Sequence, residues 1–111
     1  MKSIQTILTN FKTELNKIEG LTAYHFEKAE DFSLPYAVWA EESEGDSFHA
    51  NNKKKDQTIT GSLDFFTETE FDPLVDSIQE TLNGVCAWSL EVVQYENETK
   101  LIHYTWSWEL T

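Results

Sequence analysis

Ile4, Ile7, Leu8, Phe11, Leu15 and Ile18 recur at the spacing of one helical face, which predicts an amphipathic helix over residues 3–19. Ser3 is placed to cap its start, and Gly20 follows the last apolar residue, where a left-handed turn suits glycine. Tyr24 and Phe26, and then Pro35-Tyr36-Ala37-Val38-Trp39-Ala40, read as extended, with proline tolerable where a strand begins. From Gln57 the alternation is regular: Ile59, Gly61, Leu63 and Phe65 share one face, and Thr58, Thr60, Ser62 and Asp64 the other. Asp72-Pro73 is a helix-start signal, and Leu74, Val75, Ile78 and Leu82 extend it into a second amphipathic helix over residues 72–83, closed by Gly84. Trp88, Leu90 and Val92 alternate with Ser89 and Glu91. After the polar turn 97–100, Ile102, Tyr104, Trp106, Trp108 and Leu110 share one face of a last strand, which makes a C-terminal hairpin.

The order is helix, hairpin, helix, hairpin. Strands with one polar face call for a sheet covered on one side, and only the two amphipathic helices are available to cover it. The expected class is α+β, an antiparallel-rich sheet of four to five strands with both helices packed on one face. Residues 1–111 read as a single domain, with no repeat and no linker. A polar span running from Gly45 through Asn51-Asn52-Lys53-Lys54-Lys55-Asp56 is expected to be a long flexible loop, about residues 45–56, between two strands.

Composition narrows the function. Eight basic against 20 acidic residues leave a formal charge of −12, which repels nucleic-acid phosphates and anionic lipid before any specific contact can form. The lone Cys86 excludes an internal disulfide framework, no apolar run is long enough to span a membrane, and the N-terminal stretch lacks a signal-peptide pattern. The expectation is a soluble protein of a reducing compartment.

The motifs of chemistry are missing. His25, His49 and His103 are scattered, with no spacing that would bring metal ligands to one face, and no metal is expected. There is no glycine-rich phosphate loop, no base near Cys86, and no cofactor signature. Glu68, Glu70 and Asp72 alternate as calcium ligands do, but no glycine stands at the turn position and Asp72 is better used as a helix cap. No catalytic residue is assigned. Trp39, Phe66, Val93 and Tyr95 fall opposite the main apolar sets of their strands. Either a bulge or curvature turns them inward, or they form a subunit interface, where aromatic residues are enriched.

Leu34-Pro35-Tyr36-Ala37-Val38-Trp39, Gly61-Ser62-Leu63-Asp64-Phe65-Phe66-Thr67, Phe71-Asp72-Pro73-Leu74-Val75, Val93-Gln94-Tyr95-Glu96 and the closing Ile102-His103-Tyr104-Thr105-Trp106-Ser107-Trp108-Glu109 follow one another in a familiar order. In that order and spacing, over about two thirds of the chain, the sequence resembles small tail proteins of siphophages and of prophages of Gram-positive bacteria. These are related in layout to the tail terminator, or tail-to-head joining, family. The resemblance implies a non-enzymatic virion protein, made in the bacterial cytoplasm, whose copies form a hexameric ring. Such a ring ends growth of the major tail tube protein, meets the head–tail connector, and lets DNA pass without specific binding. It also implies a loop that orders on assembly, matched here by residues 45–56.

On that expectation Lys53, Lys54 and Lys55 contact a neighbouring subunit or the tube, and Trp39, Phe66 and Tyr95 form the ring interface. The alternative, resting on charge, is a small acidic DNA mimic that inhibits a host nuclease or DNA-binding protein, its carboxylates along one stripe. A hydrolase would instead gather a carboxylate pair in a cleft.

Overall fold

The computed structural model describes residues 3–45, 48–50 and 53–111, with residues 48–50 and 53–56 in backbone only. The elements in chain order are α1 (Ile4–Asn16), β1 (Thr22–His25), β2 (Tyr36–Glu44), β3 (Phe48–Ala50), β4 (Lys53–Asp56), β5 (Ile59–Thr67), α2 (Leu74–Val85), β6 (Ala87–Glu96) and β7 (Leu101–Leu110). Five strands form one sheet in the order β1-β2-β5-β7-β6. Every neighbouring pair is antiparallel except β1 and β2, which run parallel with Thr22 opposite Tyr36 and His25 opposite Trp39. The expected α+β class, with its antiparallel-rich sheet and two helices, is the observed one.

The two helices lie over one face of the sheet and close the core. Ile7, Leu8, Phe11 and Leu15 of α1 and Ile78 and Leu82 of α2 are buried against Ala37 and Trp39 of β2, Leu63 and Phe65 of β5, and Trp106, Trp108 and Leu110 of β7. Phe11 is central, its ring 4.7 Å from that of Trp108 and 5.3 Å from that of Trp39. Full burial of each such side chain contributes about 1.5–3 kcal/mol. Among the described residues no helix packs on the other sheet face.

Three local features depart from the sequence reading. α1 ends at Asn16 with Lys17 as its cap, so Gly20, at φ +82°, serves the turn into β1 and not the helix end. α2 runs through Gly84 to Val85 before Cys86 turns extended, so Gly84 lies inside the helix. The expected loop over residues 45–56 contains β3 and β4, paired antiparallel as a two-stranded ribbon beyond the β2–β5 hairpin. Asp46, Ser47, Asn51 and Asn52 of that span lie outside the described residues.

Ser3 caps α1 as expected, its hydroxyl accepting from Gln5 N–H at 3.2 Å. At α2 the geometry is two-sided. Asp72 Oδ1 accepts from Leu74 N–H at 2.9 Å, while Oδ2 accepts from the Thr67 hydroxyl at 2.6 Å, and both residues are buried. One carboxylate thus serves a free helix donor and ties the end of β5 to the start of α2, which leaves it no calcium role. Asp72→Ala removes the cap and strands a buried hydroxyl. A loss of about 2 kcal/mol is expected in urea unfolding, while Asp72→Asn retains part of it.

Candidate functional site

The uncovered sheet face is set by alternation. Thr60, Ser62, Asp64 and Phe66 of β5 point away from the helices, next to His103, Thr105, Ser107 and Glu109 of β7. Hydroxyls along this face hold carboxylates in place. Ser62 donates to Glu42 at 3.1 Å, Ser107 donates to Glu91 at 2.7 Å, and Asp64 Oδ1 accepts from both Thr105 Oγ1 and His103 Nε2 at 2.7 Å. His103 Nδ1 lies 3.5 Å from Glu96. The acids are thus spread along the face, with Glu42 and Glu109 lining one open depression beside Thr60 and Ser107.

At the end of this face where β2 begins and β5 finishes, rings run across four strands. Tyr36 stacks on Phe66 at 4.9 Å and Phe66 on His103 at 4.2 Å, while Tyr24 and Phe32 meet Tyr36 edge-on at 6.2 and 4.9 Å. The Lys28 ammonium sits 4.7 Å over the Phe32 ring, a cation–π contact. Burial pushes the Tyr36 phenol above its ordinary value, aided by the charge of Glu96 and by Tyr24. Phe71 stands at the same end, 88 % exposed and at φ +57°, with Phe32 also exposed there.

The expected interface residues separate. Trp39 is 2 % exposed on the helix-covered face, so it is a core residue and not part of a ring interface. β2 is apolar on both faces, and its register with Leu63 sets Trp39 inward. Phe66 lies on the open face, as its alternation indicates. Tyr95 and Val93 are each 54 % exposed but share the helix-side face with Trp88 and Leu90. A bulge between Leu90 and Val92 shifts the phase of β6, so Val92 turns away from Trp88 and Leu90, contrary to the simple alternation. Lys53, Lys54 and Lys55 lie in β4, the returning strand of the ribbon.

Sequence reasoning missed Phe71 and the corner at His25. There the imidazole is stacked between Phe26 and Trp39 at 3.9 and 4.0 Å and donates from Nε2 to Glu41 at 2.6 Å. Its signal was the register of β1 on β2, which no local pattern carries. Burial acts to raise the Glu41 carboxyl, but the hydrogen bond from His25, a backbone hydrogen bond and the charge of the ring outweigh it and bring the carboxyl below its ordinary value. A depressed carboxyl adds stability above its unfolded pKa of 4.5, and that stability is lost as pH falls through the lower folded value. In Glu41→Gln, acid unfolding followed by fluorescence is therefore expected to show a shallower loss of stability below that point.

Cys86 is half-buried, its thiol pushed up to about 11 by burial, against a smaller lowering by a hydrogen bond at Glu109. At neutral pH it is a poor nucleophile. Among the described residues no group of three or more His, Cys, Asp or Glu side chains is arranged to hold a metal ion, and no helix is long and apolar enough to cross a membrane. Fold and surface together define a small α+β domain with one helix-covered and one open sheet face. No protein-family model matches the chain, and no curated protein is significantly similar to it.

Proposed function

We propose that this chain is a non-enzymatic virion protein, a tail terminator or closely related head–tail joining protein, that acts by stoichiometric assembly into a ring at the end of a tail tube. The observation that carries the reading is the aromatic end of the open face: Phe32 of the β1–β2 loop and Phe71 after β5 are exposed, bordering the half-buried Phe66 and the buried Tyr36 on which it stacks. Exposed aromatic clusters mark protein–protein contacts. A ring also needs two different patches per subunit, and the sheet offers this end of its face and two open edges, β1 and β6. The acids along the remainder suit a wall past which DNA moves without adhering. On this reading the partners are other copies of the chain in a hexamer, the major tail tube protein and the head–tail connector. The protein needs no cofactor, and it passes from the bacterial cytoplasm into the virion neck.

The test is electron microscopy of the protein alone and with polymerising tail tubes. Annular particles that sit on tube ends and stop elongation support the reading; tubes of unaltered length, with no annuli, overturn it. One observation favours a second reading, a DNA mimic: Glu42, Asp64 and Glu91 are braced by hydroxyls along one sheet face. That reading requires a DNA-binding protein or nuclease of the host to be recovered on the immobilised chain and released by added DNA.

A further inference from the structure

The geometry points to β6 as a self-recognition edge: two copies of the chain pair β6 against β6, antiparallel about a two-fold axis between Glu91 and Val92, and so join their sheets into one. β6 ends the sheet, with β7 on one side only. Leu90, Val92, Val93 and Tyr95 along it are 40–54 % exposed. A ten-residue edge of this kind is a template for strand addition.

What selects a second copy as the occupant is the order of residues about the bulge. Trp88 and Leu90 before it share the helix-side face with Val93 and Tyr95 after it, since they lie opposite Trp108, Trp106, Tyr104 and Ile102. A two-fold axis at 91/92 therefore sets Leu90 opposite Val93 of the second copy and Trp88 opposite Tyr95, all on one face. On the other face it sets Ser89 opposite Gln94, Glu91 opposite Val92 and Ala87 opposite Glu96. On the helix-side face apolar residues meet apolar ones, and no acid lies directly opposite an acid; the two Glu91 carboxylates are diagonal neighbours across the axis, each held by its own Ser107 hydroxyl. Without the phase shift the same register would set helix-side residues of one copy against open-face residues of the other.

The backbone agrees. In a strand of L-residues the face taken by a side chain fixes the edge to which that residue's N–H and C=O point, and reversing the strand reverses the edge. Trp39, on the helix side of β2, points its carbonyl outward to β1, where Phe26 N–H donates to it at 2.8 Å. Through the antiparallel succession β2, β5, β7, β6, the rule turns the backbone groups of Trp88, Leu90, Val93 and Tyr95 away from β7. These four are the residues that face each other across the axis, and each such pair can exchange two N–H···O=C bonds. β1, the other edge, offers only four residues.

This contact does not rest on the ring reading. A ring is closed by head-to-tail contacts, which with β6 occupied fall to β1 and the aromatic end of the open face. The two are tested separately, since microscopy reads annuli and the following reads the pair.

In the full chain carrying Cys86→Ser, Ser89→Cys and Gln94→Cys variants are oxidised separately and mixed. Position 89 lies across from 94 of the second copy in a close, non-hydrogen-bonded pair suited to a disulfide, but roughly 17 Å along the strand from position 89 of that copy. The mixture is expected to give the 89–94 cross-linked dimer, and neither variant alone to give one. Val93→Lys, at an exposed position, is expected to keep the circular dichroism spectrum and to reduce the mass in sedimentation equilibrium from twice 12.9 kDa to 12.9 kDa. A monomer at every concentration, equal cross-linking by each variant alone, or Val93→Lys that still dimerises overturns the proposal. Cross-linking of Ala23→Cys to Gln94→Cys in place of 89 to 94 overturns it in favour of β1-to-β6 pairing.

Discussion

Gly61→Ala is expected to lower the unfolding free energy by about 3 kcal/mol, read as a large drop in the urea midpoint at unchanged slope. A Cβ at this position would lie 2.2 Å from the Ala40 carbonyl oxygen and 2.2 Å from Cζ2 of Trp108, with Cη2 at 2.6 Å. Neither neighbour can yield. The carbonyl belongs to β2, which pairs with β5 on both sides of this point, and the indole is 2 % exposed and pressed on by Phe11. The methyl group must therefore push β2 and β5 apart or drive Trp108 into α1. Gly61 is there because the benzo ring of the Trp108 indole comes close against the backbone, an approach only a residue without a side chain permits. A midpoint equal to that of the parent protein would show that Trp108 has another place to go.

Phe11→Ala is expected to cost about 4 kcal/mol, since the ring is wholly buried between two tryptophans and its removal leaves a cavity that rigid neighbours cannot fill. Domains of this kind hold about 5–15 kcal/mol in all, so the variant retains little margin. Lys12→Ala, one position along on the exposed side of α1, is expected to stay within about 0.5 kcal/mol. Differential scanning calorimetry on the three proteins checks both values. Similar losses at 11 and 12 would mean that burial of the Phe11 ring does not set the cost, since alanine favours the helix at both positions.

How far the sequence can be read depends on how many constraints act on each segment. The α1 stripe and the alternations of β5 and β7 each have one covered face, so polarity alone set which residues point inward, and the burial of Leu63, Phe65, Trp106 and Trp108 follows. β2 is apolar on both faces, and its orientation is decided by pairing with β5. That is why Trp39 reads as a surface aromatic in sequence and is core in the fold. In β6 a single extra residue at the bulge inverts the alternation midway, and no composition signal marks it. The parallel partnership of β1 and β2 arises because residues 26–35 cross back to the sheet's starting end, a tertiary fact. The ribbon of β3 and β4 was hidden because lysine and asparagine carry little strand propensity. Of the surface proposed for assembly, Phe66 was legible from alternation; the row it forms with Tyr36 and His103 needed the register.

The position of β7 between β5 and β6 also governs how the chain must fold during synthesis. β5 is complete by residue 67 and β6 by residue 96, yet each needs residues 101–110 beside it. Until that stretch leaves the ribosome, β6 has no neighbour and the core lacks both Trp106 and Trp108. The nascent polypeptide therefore carries an unpaired apolar strand from the completion of β6 until residues 101–110 arrive, and it is in that late interval that a holdase chaperone would have most to bind.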